Sequence, residues 1–131
     1  MRISIITVTY NAEATIERTL ESVAQQTYPD VEHLIIDGAS KDRTLEIANR
    51  YPHAIVYSEP DHGLYDAMNK GLKRATGDYL CFLNAGDKLH SKETLAHIAQ
   101  AQENTTKPII AVLYGDTHIV DNKGTFIRNR R

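Results

Sequence analysis

Three carboxylates stand just after short apolar runs. Asp37 closes "VEHLIID", Asp61 sits in the "SEPDHG" that follows "AIVYS", and Asp87 ends the "NAGD" that follows "DYLCFL". In the last of these, Asn84 and Asp87 are separated only by Ala85 and Gly86, two of the smallest residues. If the runs are parallel strands, the acids gather on one rim, because ligands bind beyond the carboxyl ends of such strands. A rim of carboxylates needs a divalent cation, or hydrogen-bond donors on a ligand, to offset its charge. Mg²⁺ takes a few carboxylates together with substrate phosphates, and Mn²⁺ accepts similar oxygen ligands. A carboxylate also accepts from a base N–H or from sugar hydroxyls. A nucleoside diphosphate carrying a sugar offers all of these partners at once.

Several other chemistries lack their residues. No G-x-G-x-x-G follows a strand and no G-x-x-x-x-G-K-[ST] occurs, so a diphosphate here has no glycine-rich cradle and would depend on a metal. The six histidines show no H-x-x-x-H or cysteine pairing, which speaks against a zinc site. A lone Cys81 precludes an internal disulfide framework and suits a reducing compartment. The net charge of -2 provides no global field for nucleic acid or an anionic membrane. No stretch approaches the ~20 apolar residues of a membrane span, and the run from Ile3 to Val8 is too short for a signal peptide. A cytoplasmic protein is expected, with peripheral association at the inner membrane face as the alternative.

The elements that must position the acids follow from hydrophobic period. Residues 2–9, "RISIITVT", read as a central strand buried on both faces. Ile16, Leu20, Val23 and Ala24 mark one face of a helix within 12–26. Strands are predicted over 31–37, 54–58, 78–83 and 109–115. Helices are predicted over 43–51, capped by Asp42 or Ser40, from Leu64 to about Ala75, ended by Gly77, and after Ser91. "THIV" and "TFIR" flank "DNKG" as a hairpin. Strands alternating with helices argue for an α/β fold whose sheet is mainly parallel, with the terminal hairpin as an antiparallel edge. The length of 131 residues suits one domain.

"ISIITVTYNAEATIERTLESVAQQTYPDVEHLIIDGASKDRT" together with "EPDHGLYDAMNKGLKRATGDYLCFLNAGD" resembles the nucleotide-sugar half of family 2 glycosyltransferases, which have the GT-A fold. The resemblance covers residues 2 to about 121. It implies a Rossmann-like, mainly parallel sheet flanked by helices. It also implies transfer of a sugar, with inversion, from a nucleoside-diphosphate donor such as a UDP-sugar to a hydroxyl of a glycan or lipid-linked glycan, in polysaccharide or glycoconjugate synthesis. By position, Thr7, Val8, Thr9 and Tyr10 would line the nucleobase pocket and Asp37 would bond the base. Asp61, Gly63, Asp66 and Asn69 would lie beside the donor. Asn84, Ala85 and Gly86 would contact it too, and Asp87 would hold Mn²⁺ or Mg²⁺. The sequence departs from the family where Asn84 and Gly86 stand in place of frequent acids.

In the family the general base lies well beyond the metal motif, so here it is expected after Arg131. The chain then reads as one nucleotide-sugar-binding domain, 1–131, ending before the acceptor-binding part. Two alternatives stay open. A non-catalytic nucleotide-sugar-binding module would bind a donor without transferring from it. A nucleotidyltransferase would want a basic glycine-rich loop, where "TYNAEA" stands.

Overall fold

The computed structural model describes residues 2–103, 117–120 and 126–130. In chain order the elements are β1 (Ile3–Thr9), α1 (Ile16–Ala24), β2 (Val31–Asp37), α2 (Thr44–Ala48), β3 (Ala54–Ser58), α3 (Leu64–Arg74), β4 (Tyr79–Phe82), α4 (Thr94–Glu103), β5 (Thr117–Val120) and β6 (Phe126–Arg130). The first four strands form one sheet in the order β3-β2-β1-β4, and every neighbouring pair is parallel. β1 pairs in register from Ile3 opposite Val31 to Thr9 opposite Asp37, so these two strands end level. Tyr79 to Phe82 of β4 lie opposite Ile3 to Ile6, and Leu83 N donates to Ile6 O beyond them. The mainly parallel α/β sheet expected from the sequence is therefore present.

The side-chain period of two splits the sheet's apolar residues between its faces. Ile3, Ile5 and Ile35 pack with Ile16, Leu20 and Val23 of α1, Ile47 of α2 and Leu95 of α4. Ile6, Leu34 and Ile36 pack against α3 on the other face. This is why β1 and the Leu34–Ile36 stretch of β2 carry apolar residues toward both faces: both faces are covered.

On α3 the expected helix forms but turns a different face inward. The spacing of Leu64, Met68, Leu72 and Ala75 implies one apolar side, yet Leu64 and Leu72 are exposed, and of the four Ala75 packs against the core. Ala67 and Gly71 are the residues buried against the sheet. The cause is proximity. A Cβ built on Gly71 would stand 2.5 Å from Ile6 Cγ2 and 3.3 Å from Ile36 Cγ1, so no larger side chain fits between helix and sheet. Gly71→Val is expected to cost ~3 kcal/mol or more by overpacking, read as a lower urea midpoint. An unchanged midpoint would show that α3 can lift off the sheet.

Gly77 also differs from its expected part. α3 ends at Arg74 with an extended Ala75 as its cap, so Gly77 is not the helix terminator. Its Cβ would meet main-chain atoms at and just before the start of β1, Ser4 N at 2.8 Å and Arg2 O at 2.9 Å. The approach is fixed by a polar cluster at the amino ends of the strands. Glu32 accepts from Ser4 Oγ, Thr76 N and Thr76 Oγ1, while Gly77 N donates to Ser4 Oγ. Burial pushes the Glu32 pKa up, but these donors together with Arg2 outweigh it and hold the carboxyl below its ordinary value.

β5 and β6 pair antiparallel, as the hairpin pattern predicts, with a register shift at Ile119/Val120. They form their own two-stranded sheet, where an edge on the main sheet was expected. The strand predicted over 109–115 lies outside the described residues.

Candidate functional site at the carboxyl ends of the strands

β1 ends between two acid-bearing loops and its main chain holds both. On one side Gly38 N donates to Thr9 O, and on the other Ala85 N donates to Val8 O. Thr9, paired with Asp37 and on the same face of the sheet, is almost fully buried. Its Oγ1 is the buried side-chain oxygen without a hydrogen-bond partner among the described residues. An unsatisfied buried hydroxyl costs about 1–3 kcal/mol.

The loop after β2 is built around the Asp37 carboxylate. It accepts from Ser40 N at 2.8 Å, Ser40 Oγ at 2.5 Å and Ser58 Oγ at 2.8 Å. A carboxylate has about four acceptor positions, so these donors occupy most of them. Ala39, inside this turn, has a φ of 62, a strained value for a residue with a Cβ. The turn is locked to the loop after β1. Asn11 N donates to Ser40 Oγ, Lys41 N donates to Asn11 Oδ1, and Ala12 N donates to Thr44 Oγ1. Asn11 itself has a φ of 46, which asparagine tolerates better than most residues. Asp42 receives Thr44 N at the start of α2 and Glu13 N across the loops. Desolvation pushes its pKa up, but the bonds from Thr44 and Glu13 together outweigh it and hold the carboxyl below the ordinary range.

Asp61 reaches this rim from the third loop. A Cβ on Gly38 would stand 2.7 Å from Asp61 Oδ2, so the Asp61 carboxylate lies directly over the Gly38 backbone. Its Oδ1 accepts from Gly63 N at the start of α3. Asp37 and Asp61 are thus brought together, as the strand-end rule expects. Asp66 instead serves its own helix. Its Oδ2 accepts from His62 N, which with Lys70 depresses its pKa against the push from desolvation. Lys70 also bonds Glu59 and Pro60 O, which ties α3 to the loop before it. Asn69 is exposed on α3.

Thr7 and Val8 are drawn away from the rim. Thr7 is fully buried and bonds His33 through Oγ1 at 2.8 Å, while Val8 packs with the core beneath α3. Tyr10 is well exposed at the rim.

Asn84 to Asp87 form a turn closed by Asp87 N donating to Asn84 O at 2.9 Å. Gly86, its third residue, has a φ of 98, the sign a type II turn requires there. Gly86 is a glycine for backbone reasons, and an acid in its place would be strained. Thr19 of α1 grips the same turn, accepting from Gly86 N at 2.9 Å and donating to Asp87 O at 2.6 Å.

A divalent cation such as Mg²⁺ or Mn²⁺ needs several oxygen ligands. Among the described residues no three His, Cys, Asp or Glu side chains cluster closely enough to hold one. Asp87, exposed on its turn with Asn84 at the other end, fits a cation held jointly by one or two carboxylates and a ligand's phosphates. It does not fit an all-protein cage.

Asn11, Ser40, Ser58 and Thr19 shape this site and were not singled out as site residues from the sequence. Asn11 and Ser40 stand within the strand-end segments "TYNA" and "DGAS", which is a usable signal. Ser58 opens the strand-end segment "SEPDHG" in the same way, while Thr19 has no comparable local signal.

A parallel sheet with its polar loops gathered at the carboxyl ends, and acids on two of them beside the central strand, defines an α/β domain of the GT-A type. The solved structures bear this out. S. aureus TarS residues 1–349 with UDP matches with a TM-score of 0.74 and 32% identity over 79% of this chain and 32% of that one. The Pyrobaculum calidifontis mannosyltransferase PcManGT, with GDP-Man and Mn²⁺, matches with a TM-score of 0.72 and 27% identity over 80% and 33%. The chain belongs to glycosyl transferase family 2, whose model matches residues 4–126. Among curated relatives, a PGL/p-HBAD biosynthesis glycosyltransferase of Mycobacterium tuberculosis is 44% identical over 73% of this chain. The putative teichuronic acid biosynthesis glycosyltransferase TuaG of Bacillus subtilis is 41% identical over 66%. The chain spans 40% and 36% of the lengths of these two relatives. No helix among the described residues is long and apolar enough to cross a membrane.

Proposed function

We propose that this chain is the donor-binding part of an inverting glycosyltransferase. The donor is a sugar carried on a nucleoside diphosphate, UDP above others, and the acceptor is a hydroxyl of a glycan or lipid-linked glycan in polysaccharide or glycoconjugate synthesis. The observation that carries this reading is the shared anchorage at the end of β1. The "DGAS" and "NAGD" loops bond to the carbonyls of two consecutive residues of that strand, one of them Thr9, whose buried hydroxyl has no hydrogen-bond partner among the described residues. Relatives named for glycoconjugate synthesis, and structural neighbours holding UDP or GDP-Man, support the same reading.

Asp37, Thr9 and Tyr10 would receive the base, and Asp61, Gly63 and Asn69 would lie along the donor. Asn84, Ala85 and Gly86 would border its diphosphate. A divalent cation, Mn²⁺ or Mg²⁺, bound through Asp87 and the donor phosphates would neutralise charge on the departing diphosphate. The acceptor oxygen forms the new bond to the anomeric carbon as the carbon–oxygen bond to the diphosphate breaks, its electron pair leaving with the diphosphate. The acceptor's proton goes to a base that we place in the part of the relatives' length this chain does not span. Thr7 and Val8 act from beneath, as the packed support of the β1 terminus.

Calorimetry with UDP, GDP and ADP, each with and without Mn²⁺, tests the reading. UDP is expected to bind best and Asp37→Ala to weaken it by ~1–3 kcal/mol. Equal affinity for the three nucleotides would overturn base recognition by Asp37. A labelled UDP-sugar separates a transferase from a binding module, since only the transferase turns it over.

A further inference from the structure

α1 presents two faces to the protein, and one of them has no part in the apolar core. Thr19, Ser22 and Gln26 follow one another at steps of three and four, along the edge of α1 and just past its end. Each bonds main chain of the segment that follows β4. Thr19 Oγ1 holds Gly86 N and Asp87 O. Ser22 Oγ accepts from Leu89 N and donates to Thr19 O. Gln26 donates through Nε2 to Ser91 O and accepts through Oε1 from Leu95 N. Thr27 N adds a bond to Lys92 O. The path from the Asn84–Asp87 turn to the start of α4 is thus held from one side by a single helix.

We infer that Thr19 is a positioning residue for Asp87, and that α1 sets where that carboxylate stands relative to the end of β1. The inference rests on the reading of Asp87 as the cation's ligand. The reasoning is geometric. The turn also has its own Asp87 N to Asn84 O bond and the long 3.3 Å bond from Ala85 N to Val8 O. The first closes the turn without orienting it, and the second fixes only one of its corners. Thr19, fully buried, holds the Gly86 amide and the Asp87 carbonyl with one hydroxyl, so it fixes the direction in which the Asp87 side chain leaves the backbone. Supporting contacts of this kind orient metal ligands, and their loss lowers metal affinity.

The test titrates the chain with Mn²⁺ at saturating UDP, read by the Mn²⁺ resonance signal, with urea unfolding on the same samples. Thr19→Val keeps the shape and removes the hydroxyl, and Mn²⁺ affinity is expected to fall ~10–100-fold. Thr19→Ser keeps the hydroxyl and loses a buried methyl, so it should be less stable than the parent while binding Mn²⁺ close to it. Affinities that merely follow the stability order overturn the inference. So does Thr19→Val binding like the parent while Asp87→Asn does not, an outcome that leaves the Asp87 assignment standing. Asp87→Asn binding Mn²⁺ like the parent overturns both. If Thr19→Val does not fold, amide exchange of the parent decides: Gly86 and Leu89 protected alongside α1 supports the inference, and unprotected amides there overturn it.

Discussion

Asp87→Asn should leave the protein folded and remove the Mn²⁺-dependent part of UDP binding. The bonds from Asp87 N to Asn84 O and from Thr19 Oγ1 to Asp87 O run through main-chain atoms, and an asparagine preserves them. The residue is exposed at a loop, where substitutions usually shift stability by less than ~0.5 kcal/mol. What changes is charge. With few other acids to share the load, one neutralised carboxylate leaves a cation with little but the diphosphate to hold it. Lewis-acid assistance is worth several kcal/mol, so transfer from a UDP-sugar, where the chain's protein carries it out, should fall by ~10³-fold. Calorimetry gives the binding half and a labelled-donor assay the rate. Parent-like UDP affinity in Mn²⁺ would show that Asp87 is a turn residue and that the cation, if any, is held elsewhere.

Much of the sheet could be read in advance because its determinants are local. "ISIITVT", "VEHLIID" and "AIVYS" are rich in apolar and β-branched residues, and each became a strand as expected. Helix faces were harder. On α1, Ile16, Leu20 and Val23 are buried as their spacing implies, but Ala24 is exposed and Thr19 is buried in its stead. On α3 the large residues face outward, because the sheet comes too close for them. In both cases the deciding information is the distance to another element, which no window of sequence contains. Small residues at Ala67, Gly71 and Ala75, spaced four apart, were the available sign of a close approach.

At the rim, the residue types were legible and their partners were not. Asp37 and Asp61 stand together, as the ends of adjacent parallel segments must. That Asp37 would be engaged by Ser40 and Ser58 depends on a loop conformation with Ala39 at positive φ, which no propensity favours. Gly86 carries the complementary lesson. It departs from the acids of the family pattern, and its backbone angle gives the physical reason.

The protein should lose stability in mild acid, between about pH 6.5 and 4.5, because of His33. This histidine is fully buried on β2, between Thr7 Oγ1 at 2.8 Å from Nε2 and His53 Nε2 at 3.4 Å from Nδ1. His53 stacks on it and meets the Tyr51 ring edge-on, while Tyr51 donates to Glu21. Burial, and then repulsion from His53, drive the His33 pKa down from 6.5 to about 3. The His53 pKa is lowered too, by desolvation that the nearby Glu21 only partly offsets. Below pH 6.5 the unfolded chain therefore binds a proton that the folded chain refuses, so stability falls with pH. It is fully present above the unfolded value and is lost progressively toward the folded one. At ~1.4 kcal/mol per pH unit, the loss by pH 4.5 is on the order of 3 kcal/mol. The lowered carboxyls Glu32, Asp42, Glu46 and Asp66 act in the same direction, but only as pH approaches their unfolded values of 4.5 and 3.8. Urea unfolding at intervals from pH 7 to 4.5 isolates the histidine part. His33→Gln should be less stable at pH 7 and flatter across that window, keeping only the weaker slope due to His53. A parent profile already flat from pH 6.5 to 4.5 would mean that His33 takes up its proton without penalty, through water reaching the Thr7–His33–His53 row.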